Sequence, residues 1–558
     1  MPAASFSLVA RDLVRRRAGA TVLDAVSVSI GPRSRLGVVG PNGVGKTTLL
    51  RALAGLDAPD GGTVTVTPPS LRVGYLPQIH QRSDTETARA FLARRTGVAD
   101  AEAGLEAAAG ALADGRPGAD DAYDAALDAY LRSGGPDFDA RLEAVAVDLA
   151  LPERVLDVPT ATLSGGQAAR VALVGILLSR FDVLLLDEPT NDLDFDGLAR
   201  LERFLEGLEG GVVVVSHDRA FLARTVTRVL ELDEHTRTAT EYGGGWDGYL
   251  EARATARQHA EEAYAEYTDT RDQLLTRARS QRQWSVQGVR KEKRAPRDND
   301  KAQRDFRINA SERNAAKVRI SEKALERLTP VDKPWEGWDL RFEVASAARS
   351  GDVVMRLDRA VIELGSFTLG PVDLEIAWAE RVAIVGPNGS GKTTLLRALL
   401  GDLPLAGGSR WIGPGVVVGE MDQARKGFEV DAPLIDVFVA ATRLLTTDAR
   451  SLLAKFGLGA DHVLRSADTL SPGERTRAAL ARFAAQGVNC LVLDEPTNHL
   501  DLPAIEQLET ALDGYGGTLL LVTHDRALLD AVRITRTIEL GAPAGQLQAP
   551  PQGPAPCH

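Results

Sequence analysis

The run Gly40-Pro-Asn-Gly-Val-Gly-Lys46-Thr47 lies near the start of this 558-residue chain and returns as Gly386-Pro-Asn-Gly-Ser-Gly-Lys392-Thr393. Each copy follows a short apolar run and precedes Leu-Leu-Arg-Ala-Leu, which favours a helix. A strand, a glycine-rich loop and a helix in this order indicate a phosphate-binding loop, because the glycines let backbone N–H groups turn toward the phosphates. The repeat therefore predicts two α/β nucleotide-binding domains in one chain.

The residues of the two loops have separate predicted roles. Lys46 and Lys392 are placed to reach the β- and γ-phosphates of the nucleotide, and the hydroxyls of Thr47 and Thr393 are placed to bind Mg²⁺. The N-terminus of the following helix adds partial positive charge. The other predicted nucleotide-binding residues of the loops are Gly40, Asn42, Gly43, Gly45, Thr48, Gly386, Asn388, Gly389, Gly391 and Thr394.

A second repeated motif is an apolar run that ends in two acids. Val183-Leu-Leu-Leu precedes Asp187 and Glu188, and Cys490-Leu-Val-Leu precedes Asp494 and Glu495. Such runs are typical of buried parallel strands. The first acid of each pair is predicted to hold the Mg²⁺ shell, and the second is predicted to polarise the water that attacks the γ-phosphate.

Two further motifs accompany each acid pair. Leu163-Ser164-Gly165-Gly166-Gln167 and Leu470-Ser471-Pro472-Gly473-Glu474 each open a helix, so their hydroxyls and free N–H groups suit an anion. Ser216-His217-Asp218 and Thr523-His524-Asp525 each end an apolar strand. A single histidine in such a place is more often structural than catalytic, so His217 and His524 gain their predicted catalytic role from the motifs around them.

Together these motifs resemble an ATP-binding cassette, and the resemblance covers residues 5–245 and 338–541, here called the first and second cassettes. Gln78 and Gln423, Asn191-Asp-Leu-Asp194 and Asn498-His-Leu-Asp501 extend the match. The resemblance implies ATP and Mg²⁺ as cofactors, with the two glutamines among the Mg²⁺ ligands. It also implies that Ser164, Gly165, Gly166, Ser471 and Gly473 contact nucleotide.

In cassette proteins each ATP lies between the phosphate loop of one cassette and the Ser-Gly signature of the other. Carried over, site one pairs Lys46 and Glu188 with Ser471 and Gly473, and site two pairs Lys392 and Glu495 with Ser164 and Gly166. Pro472 and Glu474 depart from the usual Gly and Gln of the signature. The aromatic residue that stacks on adenine in many cassettes is missing near Arg17 and Leu364, so Arg17 is predicted to stack through its guanidinium plane.

The spacing of the repeat locates an insertion in the first cassette. Gln78 and Gln423 are 345 residues apart, whereas Ser164 and Ser471 are 307 apart, so the first cassette holds 38 additional residues between glutamine and signature. The best candidate is 97–135, which is Ala-rich, predicted to be helical, and has a net charge of −6. It is either an enlarged helical subdomain or a short arm that contacts a partner. Its charge disfavours bare phosphate as that partner.

Between the cassettes, residues 246–335 read as a basic linker. Glu251 to Pro330 contains 19 Lys or Arg and 13 Asp or Glu, a net charge of +6 in a chain of −12. Small or apolar residues at positions 256, 260, 263, 267, 270 and 274 form the seam of a coiled-coil helix. Charge and glycine interrupt the seam from Trp284 to Pro296, and a second helical run follows. The pattern predicts a helical hairpin with its tip near 284–300 and arms about 45–50 Å long.

Composition is that of an ordinary soluble globular protein, 44% hydrophobic and 25% charged. The sequence contains no run of 18 apolar residues of the kind that predicts a membrane span. The first 17 residues lack the apolar centre of a signal peptide. Cys490 and Cys557 are too few for a disulfide framework. We therefore expect a cytoplasmic protein. The Gly/Pro/Gln-rich tail, 542–558, is predicted to be disordered.

Two cassettes joined in one chain by a charged helical hairpin resemble the ABC-F family of ribosome-associated ATPases. Members of this family bind the tRNA exit site of the ribosome, with the linker pointing toward the peptidyl-transferase centre. The resemblance implies slow ATP hydrolysis, rRNA and tRNA near the exit site as partners, and a monomer whose cassettes pair with each other. Chromosome-maintenance ATPases differ, because their coiled coil interrupts a cassette.

Within the family, the linker separates housekeeping translation factors from antibiotic-resistance proteins that protect the ribosome. The runs beginning at Ala278, Arg290 and Asp298 look like the actinobacterial resistance group, which includes self-resistance proteins of macrolide and lincosamide producers. Cations can bind rRNA phosphate, and Trp284 can stack on a base. A housekeeping translation factor is the alternative, and an exporter ATPase with a separate permease is a third.

Overall fold

The computed structural model describes residues 6–17, 19–77, 83–191, 193–234, 236–294, 323–325, 327–328, 349–365, 367–498, 500–541 and 547–548. Contacts divide the chain into two units, of which one is Met1–Tyr249 with Trp338–His558 and the other is Leu250–Gly337. Both cassettes belong to the first unit, so contacts between the cassettes are contacts within that unit.

The first cassette and the helix that leaves it contain the following elements. They are β1 (Ser7–Arg17), β2 (Ala20–Ile30), β3 (Arg35–Val39), α1 (Lys46–Leu53), β4 (Gly61–Thr67), β5 (Val73–Leu76), α2 (Ala88–Arg95), α3 (Val98–Ala113), α4 (Ala119–Ser133), α5 (Phe138–Asp148), α6 (Gly165–Leu177), β6 (Val183–Asp187), α7 (Phe195–Gly207), β7 (Gly211–Val215), α8 (Arg219–Thr225), β8 (Arg228–Leu232), β9 (Ala239–Gly243) and α9 (Gly245–Arg294).

The second cassette repeats this order without the counterpart of the inserted helices. Its elements are β10 (Val353–Leu364), β11 (Phe367–Ala377), β12 (Arg381–Val385), α10 (Lys392–Leu400), β13 (Gly407–Ile412), β14 (Val418–Glu420), α11 (Met421–Lys426), α12 (Leu434–Thr442), α13 (Thr446–Lys455), α14 (Ala460–Val463), α15 (Pro472–Gln486), β15 (Cys490–Asp494), α16 (Leu502–Asp513), β16 (Thr518–Val522), α17 (Arg526–Ala531), β17 (Arg536–Leu540) and β18 (Leu547–Gln548).

The strand orders of the two cassettes match position by position. In the first cassette a six-stranded sheet has the order β5-β6-β7-β3-β8-β9, and a three-stranded sheet has the order β2-β1-β4. In the second cassette the orders are β14-β15-β16-β12-β17-β18 and β11-β10-β13. In each six-stranded sheet the first five strands are parallel and the last is antiparallel. The predicted α/β fold with two cassettes is confirmed.

Alternate residues of the central strands enter opposite layers of the core. In β6, Val183 and Leu185 pack with α1 and the three-stranded sheet, while Leu184 and Leu186 pack with α6 and α7. A strand with both faces covered is apolar at every position, which is why this run reads as continuous hydrophobicity in the sequence. Because these strands are parallel, their carboxyl ends lie at the same edge of the sheet. Ligands bind at this edge in folds of this kind.

The insertion in the first cassette is a pair of helices, α3 and α4. Val98 is the buried residue of α3, and Ala119 and Ser133 are the buried residues of α4. Most of both helices is exposed, which is the arrangement of a projecting arm more than of an enlarged core. Whether this arm contacts a partner stays a prediction.

The linker helix α9 is longer than the sequence pattern predicts. It runs for 50 residues and continues through Gly288 to Arg294, so the glycine does not end it. At 1.5 Å per residue it is about 75 Å long. Of the predicted seam, Tyr267, Thr270 and Leu274 are half-buried and the three alanines are exposed. The side chains from 281 onward and most of the predicted second arm lie outside the described residues.

The tail prediction needs one correction. Leu547 and Gln548 form a short strand, β18, that pairs antiparallel with β17. The exposed edge of a sheet offers unpaired backbone groups to a following segment, which explains how a Gly/Pro-rich stretch can hold a strand. The other residues of the predicted tail lie outside the described part of the chain.

Candidate functional site

Helices α1 and α10 begin inside the two glycine loops and carry no side-chain cap. The residue before each helix is a glycine, Gly45 or Gly391, with φ of 120° and 96°. A Cβ on Gly45 would lie 2.8 Å from Val22 Cγ1, so only glycine fits there. Uncapped N–H groups at a helix start, next to a loop that brings its backbone close, suit an anion such as phosphate.

The loop lysines are folded back over their own loops. Lys46 Nζ donates to the carbonyls of Gly40 at 2.8 Å and Pro41 at 3.2 Å. Lys392 Nζ makes the corresponding bonds at 2.8 and 3.1 Å. Burial lowers the pKa of both lysines, although the nearby carboxylates oppose the shift. Both ammonium groups are therefore held at the mouth of the loop, where a phosphate would sit.

The predicted Mg²⁺ ligands meet at the ends of β6 and β15. Thr393 Oγ1 donates to Asp494 Oδ2 at 2.9 Å, which places the hydroxyl and the carboxylate as neighbours. Burial raises the pKa of Asp187, while hydrogen bonds from Thr47 and Tyr75 oppose the shift. Hydroxyl and carboxylate oxygens are suitable Mg²⁺ ligands, so these pairs fit the predicted ion. Gln78 and the side chain of Gln423 lie outside the described residues.

The predicted bases sit in an unfavourable backbone conformation. Glu188 has φ of 51° and Glu495 has φ of 45°, in the left-handed region that residues other than glycine rarely adopt. His217 Nε2 lies 3.2 Å from Glu188 Oε1, and His524 Nε2 lies 3.4 Å from Glu495 Oε1. The structure therefore brings each predicted base and its histidine together. Strain repeated in both cassettes is typical of a functional site.

Burial sets the protonation of these groups. Desolvation raises the pKa of Glu188 to about 7, against the opposing pull of Lys46. Desolvation, helped by Lys46, lowers the pKa of His217 to about 3. Burial and Lys392 lower the pKa of His524 to about 4. Both histidines are therefore neutral near pH 7.

The signature serines cap the helices that follow them. Ser164 Oγ accepts from Gln167 N at 3.3 Å, and Ser471 Oγ accepts from Glu474 N at 3.2 Å. The side chains at the third helical position return the bond to the serine N–H, which completes a capping box. Each serine hydroxyl keeps its proton available for an acceptor.

The two cassettes contact each other at the predicted sites. Asp194 Oδ2 accepts from Asn388 N at 2.8 Å, and Asp501 Oδ2 accepts from Asn42 N at 3.1 Å. A Cβ on Gly166 would lie 3.1 Å from Asn388 Cβ, so this signature glycine packs on the opposite phosphate loop. The second phosphate loop and the first signature are therefore neighbours, as the predicted pairing at site two requires.

A cavity of about 210 Å³ lies between the cassettes. Gly166 and His217 of the first cassette line it, together with Asn388, Glu495 and His524 of the second. This cavity brings together the residues predicted for site two, namely the signature of one cassette and the base and histidine of the other.

Comparison with known proteins agrees with this geometry. The profile of the ABC transporter family matches residues 23–191 and 369–498, one match in each cassette. The tylosin resistance ATP-binding protein TlrC of Streptomyces fradiae is 37% identical over 547 residues, covering 94% of this chain and 96% of TlrC. ABC transporter F family member 5 of Arabidopsis thaliana is 30% identical, covering 94% of this chain and 73% of that protein.

This chain belongs to the ABC-F family. It is therefore a phosphate-loop ATPase that hydrolyses ATP. The energy-dependent translational throttle protein EttA of Escherichia coli K12 is also similar, at 32% identity over 527 residues, covering 92% of this chain and 88% of EttA. In the described part of the ABC-F chain, no helix is both long enough and apolar enough to cross a membrane.

The structure adds residues of the ABC-F site that were not in the predicted set. Asp194 and Asp501 follow the acid pairs in the sequence, but only the fold shows that they cross to the opposite cassette. Tyr75 donates to Asp187 Oδ2 at 3.1 Å, and the repeat gave no signal for it because Glu420 is its counterpart.

Two ion pairs also join the cassettes of this ABC-F protein. Arg219 of α8 pairs with Glu509 of α16, and Arg526 of α17 lies 3.1 Å from Glu202 of α7. Each arginine follows a site histidine by two residues, at the start of the helix after it. Each glutamate lies on the helix whose N-cap residue is Asp194 or Asp501. Charge alone could not assign these partners, because they are hundreds of residues apart.

Arg17 lies at the end of β1 and lines a groove with Thr47, Thr48 and Arg51. Leu364, at the corresponding end of β10, is exposed. The groove lies beside the first phosphate loop, where we expect the base of a nucleotide bound to that loop. Stacking of the Arg17 guanidinium on the base stays a prediction.

Proposed function

We propose that this ABC-F ATPase binds the ribosome at the tRNA exit site and protects translation from large-subunit antibiotics of the macrolide or lincosamide type. The observation that carries the proposal is the similarity to the tylosin resistance protein, which runs across both cassettes and the region between them over 94% of the chain. The long basic linker supports it, because its helix α9 has 50 residues, about 75 Å, which is long enough to reach into a large partner.

A housekeeping translation factor is the second candidate. The similarity to the translational throttle protein favours it, because that relative also matches across both cassettes. An exporter ATPase with a separate permease is the third candidate, and stable co-purification with a membrane protein would support it. Both ribosomal candidates place the protein in the cytoplasm as a monomer whose cassettes pair with each other.

The site supports ATP held at two places between the cassettes. At site one Lys46 and the uncapped start of α1 would bind the phosphates, opposite Ser471 and Gly473. Site two would use Lys392 and α10 opposite Ser164 and Gly166. Mg²⁺ bound by the Thr–Asp pairs would neutralise charge on the phosphates. Glu188 and Glu495 would each accept a proton from the attacking water, while His217 and His524 hold the carboxylates in place.

The test is expression of the intact chain in a host that is sensitive to drugs acting on the large ribosomal subunit. We expect higher inhibitory concentrations for macrolides or lincosamides than in the host with an empty vector. A variant with both Lys46→Ala and Lys392→Ala should lose this effect, because ATP binding drives the protein onto the ribosome. No protection against any drug, with ribosome co-sedimentation intact, would favour the housekeeping factor.

A second variant tests the linker itself. Residues 284–294 are removed and the flanking helical segments rejoined. Either direct displacement of the drug or a shift of rRNA and tRNA requires length at the tip, so protection should disappear while ATP hydrolysis remains. Trp284→Ala should cause a smaller loss, since one stacked base contributes about 1–3 kcal/mol. If the shortened protein protects as well as the intact one, the linker mechanism is wrong.

A further inference from the structure

The signature of the second cassette carries a charge that its counterpart lacks. Glu474 occupies the third position of α15, where the first cassette has the neutral Gln167. Glu474 Oε2 accepts from Ser471 N at 2.7 Å, and Gln167 Oε1 accepts from Ser164 N at 3.0 Å. The capping geometry is therefore the same, but the second signature presents a carboxylate beside the serine that faces ATP at site one.

A carboxylate here works against nucleotide binding. The start of α15 attracts anions through its partial positive charge, and a fixed negative charge in the first turn already satisfies that attraction. The same charge repels the phosphates held by Lys46 across the interface. Glu474 is nearly buried, with 13% of its side chain exposed, so water screens this repulsion weakly.

An arginine and a histidine face Glu474 from the segment before the signature. Arg465 Nη1 lies 3.2 Å from Glu474 Oε1, and His462 Nε2 lies 3.2 Å from the same oxygen. Arg465 also donates through Nη2 to Thr469 O at 3.0 Å, which fixes the guanidinium against the turn. Burial favours a higher pKa for Glu474, but the Ser471 N–H together with Arg465, His462 and Arg477 holds that pKa below its ordinary value.

The first cassette is a natural control for this arrangement. At the repeat spacing of 307 residues, Arg465 and His462 correspond to Val158 and Val155. Both valines pack in the apolar core of the first cassette. At these two positions the first cassette, which has the neutral Gln167, carries apolar residues. The second cassette, which has the charged Glu474, carries basic residues.

We infer that Arg465, supported by His462, is a positioning residue of site one that neutralises Glu474 and thereby lets Ser471 face the γ-phosphate. The inference rests on the proposed pairing of Lys46 and Glu188 with the second signature. It makes the two ATP sites different in kind. Site one depends on a balanced charge pair, and site two does not.

The experiment measures single-turnover ATP hydrolysis by the full chain with enzyme in excess. Site two is silenced by Glu495→Gln in every protein compared. Arg465→Ala should slow hydrolysis about tenfold when Glu474 is present and less than about twofold when it is combined with Glu474→Gln. A purely structural role for Arg465 would slow both backgrounds by the same factor, and that result would overturn the inference.

Three controls complete the design. Arg475 lies next to Glu474 on α15 and forms an ion pair with Glu429. Arg475→Ala removes that ion pair and should leave the rate unchanged. With site one silenced by Glu188→Gln, Gln167→Glu should slow site two, because valines occupy the positions equivalent to Arg465 and His462 there; an unchanged rate would also contradict the inference. Full activity in the protein carrying both Glu188→Gln and Glu495→Gln would instead show that the sites themselves are misassigned.

Discussion

A strained and buried glutamate ends the central strand of each cassette. Glu188 and Glu495 both adopt positive φ, and each contacts a histidine that burial keeps neutral. The neighbouring aspartates have ordinary strand geometry and contact hydroxyl groups. This geometry supports the predicted separation of roles, in which the first acid would bind Mg²⁺ and the second would accept a proton.

The raised pKa of Glu188 predicts a pH dependence. With a pKa of about 7, the carboxyl group is mostly protonated at pH 6 and cannot accept a proton, whereas it is mostly ionised at pH 8. In a Glu495→Gln protein, kcat/KM for ATP should rise about tenfold between these values. His217 titrates near pH 3 and cannot cause the rise. A profile flat from pH 6 to 8 would contradict the assignment of Glu188 as the base.

Replacing both bases separates binding from hydrolysis. Glu188→Gln with Glu495→Gln keeps the size of each side chain but removes the proton acceptor, so hydrolysis should slow about 10²–10⁴-fold while ATP stays bound. Retained nucleotide is measured after rapid desalting, and ribosome association is measured by sedimentation with ATP. Glu209→Gln, on the exposed surface, is the matched control. Failure to accumulate on ribosomes would mean that the closed form is not the binding form.

At the scale of elements, the linker that contains most of α9 and the cassettes differ in the sign of their net charge. Outside Glu251 to Pro330 the chain carries −18, so attraction to phosphate must come from the linker. Replacing Arg290, Lys291, Lys293 and Arg294 with Ser should weaken ribosome association and reduce its dependence on salt, because each lost phosphate contact lowers the salt slope. ATP hydrolysis without ribosomes should be unaffected.

A matched variant tests whether position matters as well as charge. Arg253, Arg257, Arg271 and Arg277 lie on the earlier part of the same helix, and Ser at all four removes the same charge. If the end of α9 contacts rRNA, the first variant should lose much more ribosome binding than the second. Equal losses in sedimentation assays would indicate general attraction instead of contact by the tip.

At the scale of the whole molecule, helices α7 and α16 tie the cassettes together. The N-cap aspartate of each helix accepts a hydrogen bond from the opposite phosphate loop. A glutamate on each helix pairs with the arginine two residues after the histidine of the opposite cassette. Each helix, with its N-cap aspartate, therefore contacts both the phosphate loop and the segment after the histidine of the opposite cassette. Glu202 is buried and contacts Arg224 at 3.0 Å as well as Arg526, so a charge left unpaired there would be costly.

These ion pairs predict a charge-reversal result. Arg219→Glu should raise the KM for ATP at least several-fold, since it opposes like charges across the closed interface. Adding Glu509→Arg should recover part of the loss, which a mere folding defect would not allow. The measurement is steady-state ATP hydrolysis with melting temperatures alongside. No recovery in the double variant would show that this pair does not hold the cassettes together.

The sequence by itself determined the fold and the tandem arrangement, and it predicted most of the residues proposed for the site. Phosphate loops, acid pairs and signature serines are local motifs, because each must present its atoms from a single strand-to-helix turn. Their spacing also predicted an insertion at 97–135, the range in which the structure has the helices α3 and α4. The end of the linker arm was less well predicted, since one glycine in a 50-residue helix weakens it without ending it.

Only the tertiary structure decided which residues meet across the cassettes. Asp194 with Asn388, Arg219 with Glu509, and Arg526 with Glu202 are contacts between segments that no local periodicity relates. The protonation of Glu188 also depends on the packing around it, because desolvation is a property of the assembled core. A sequence motif can specify the atoms that one turn presents, but charge balance and burial arise only when distant turns are brought together.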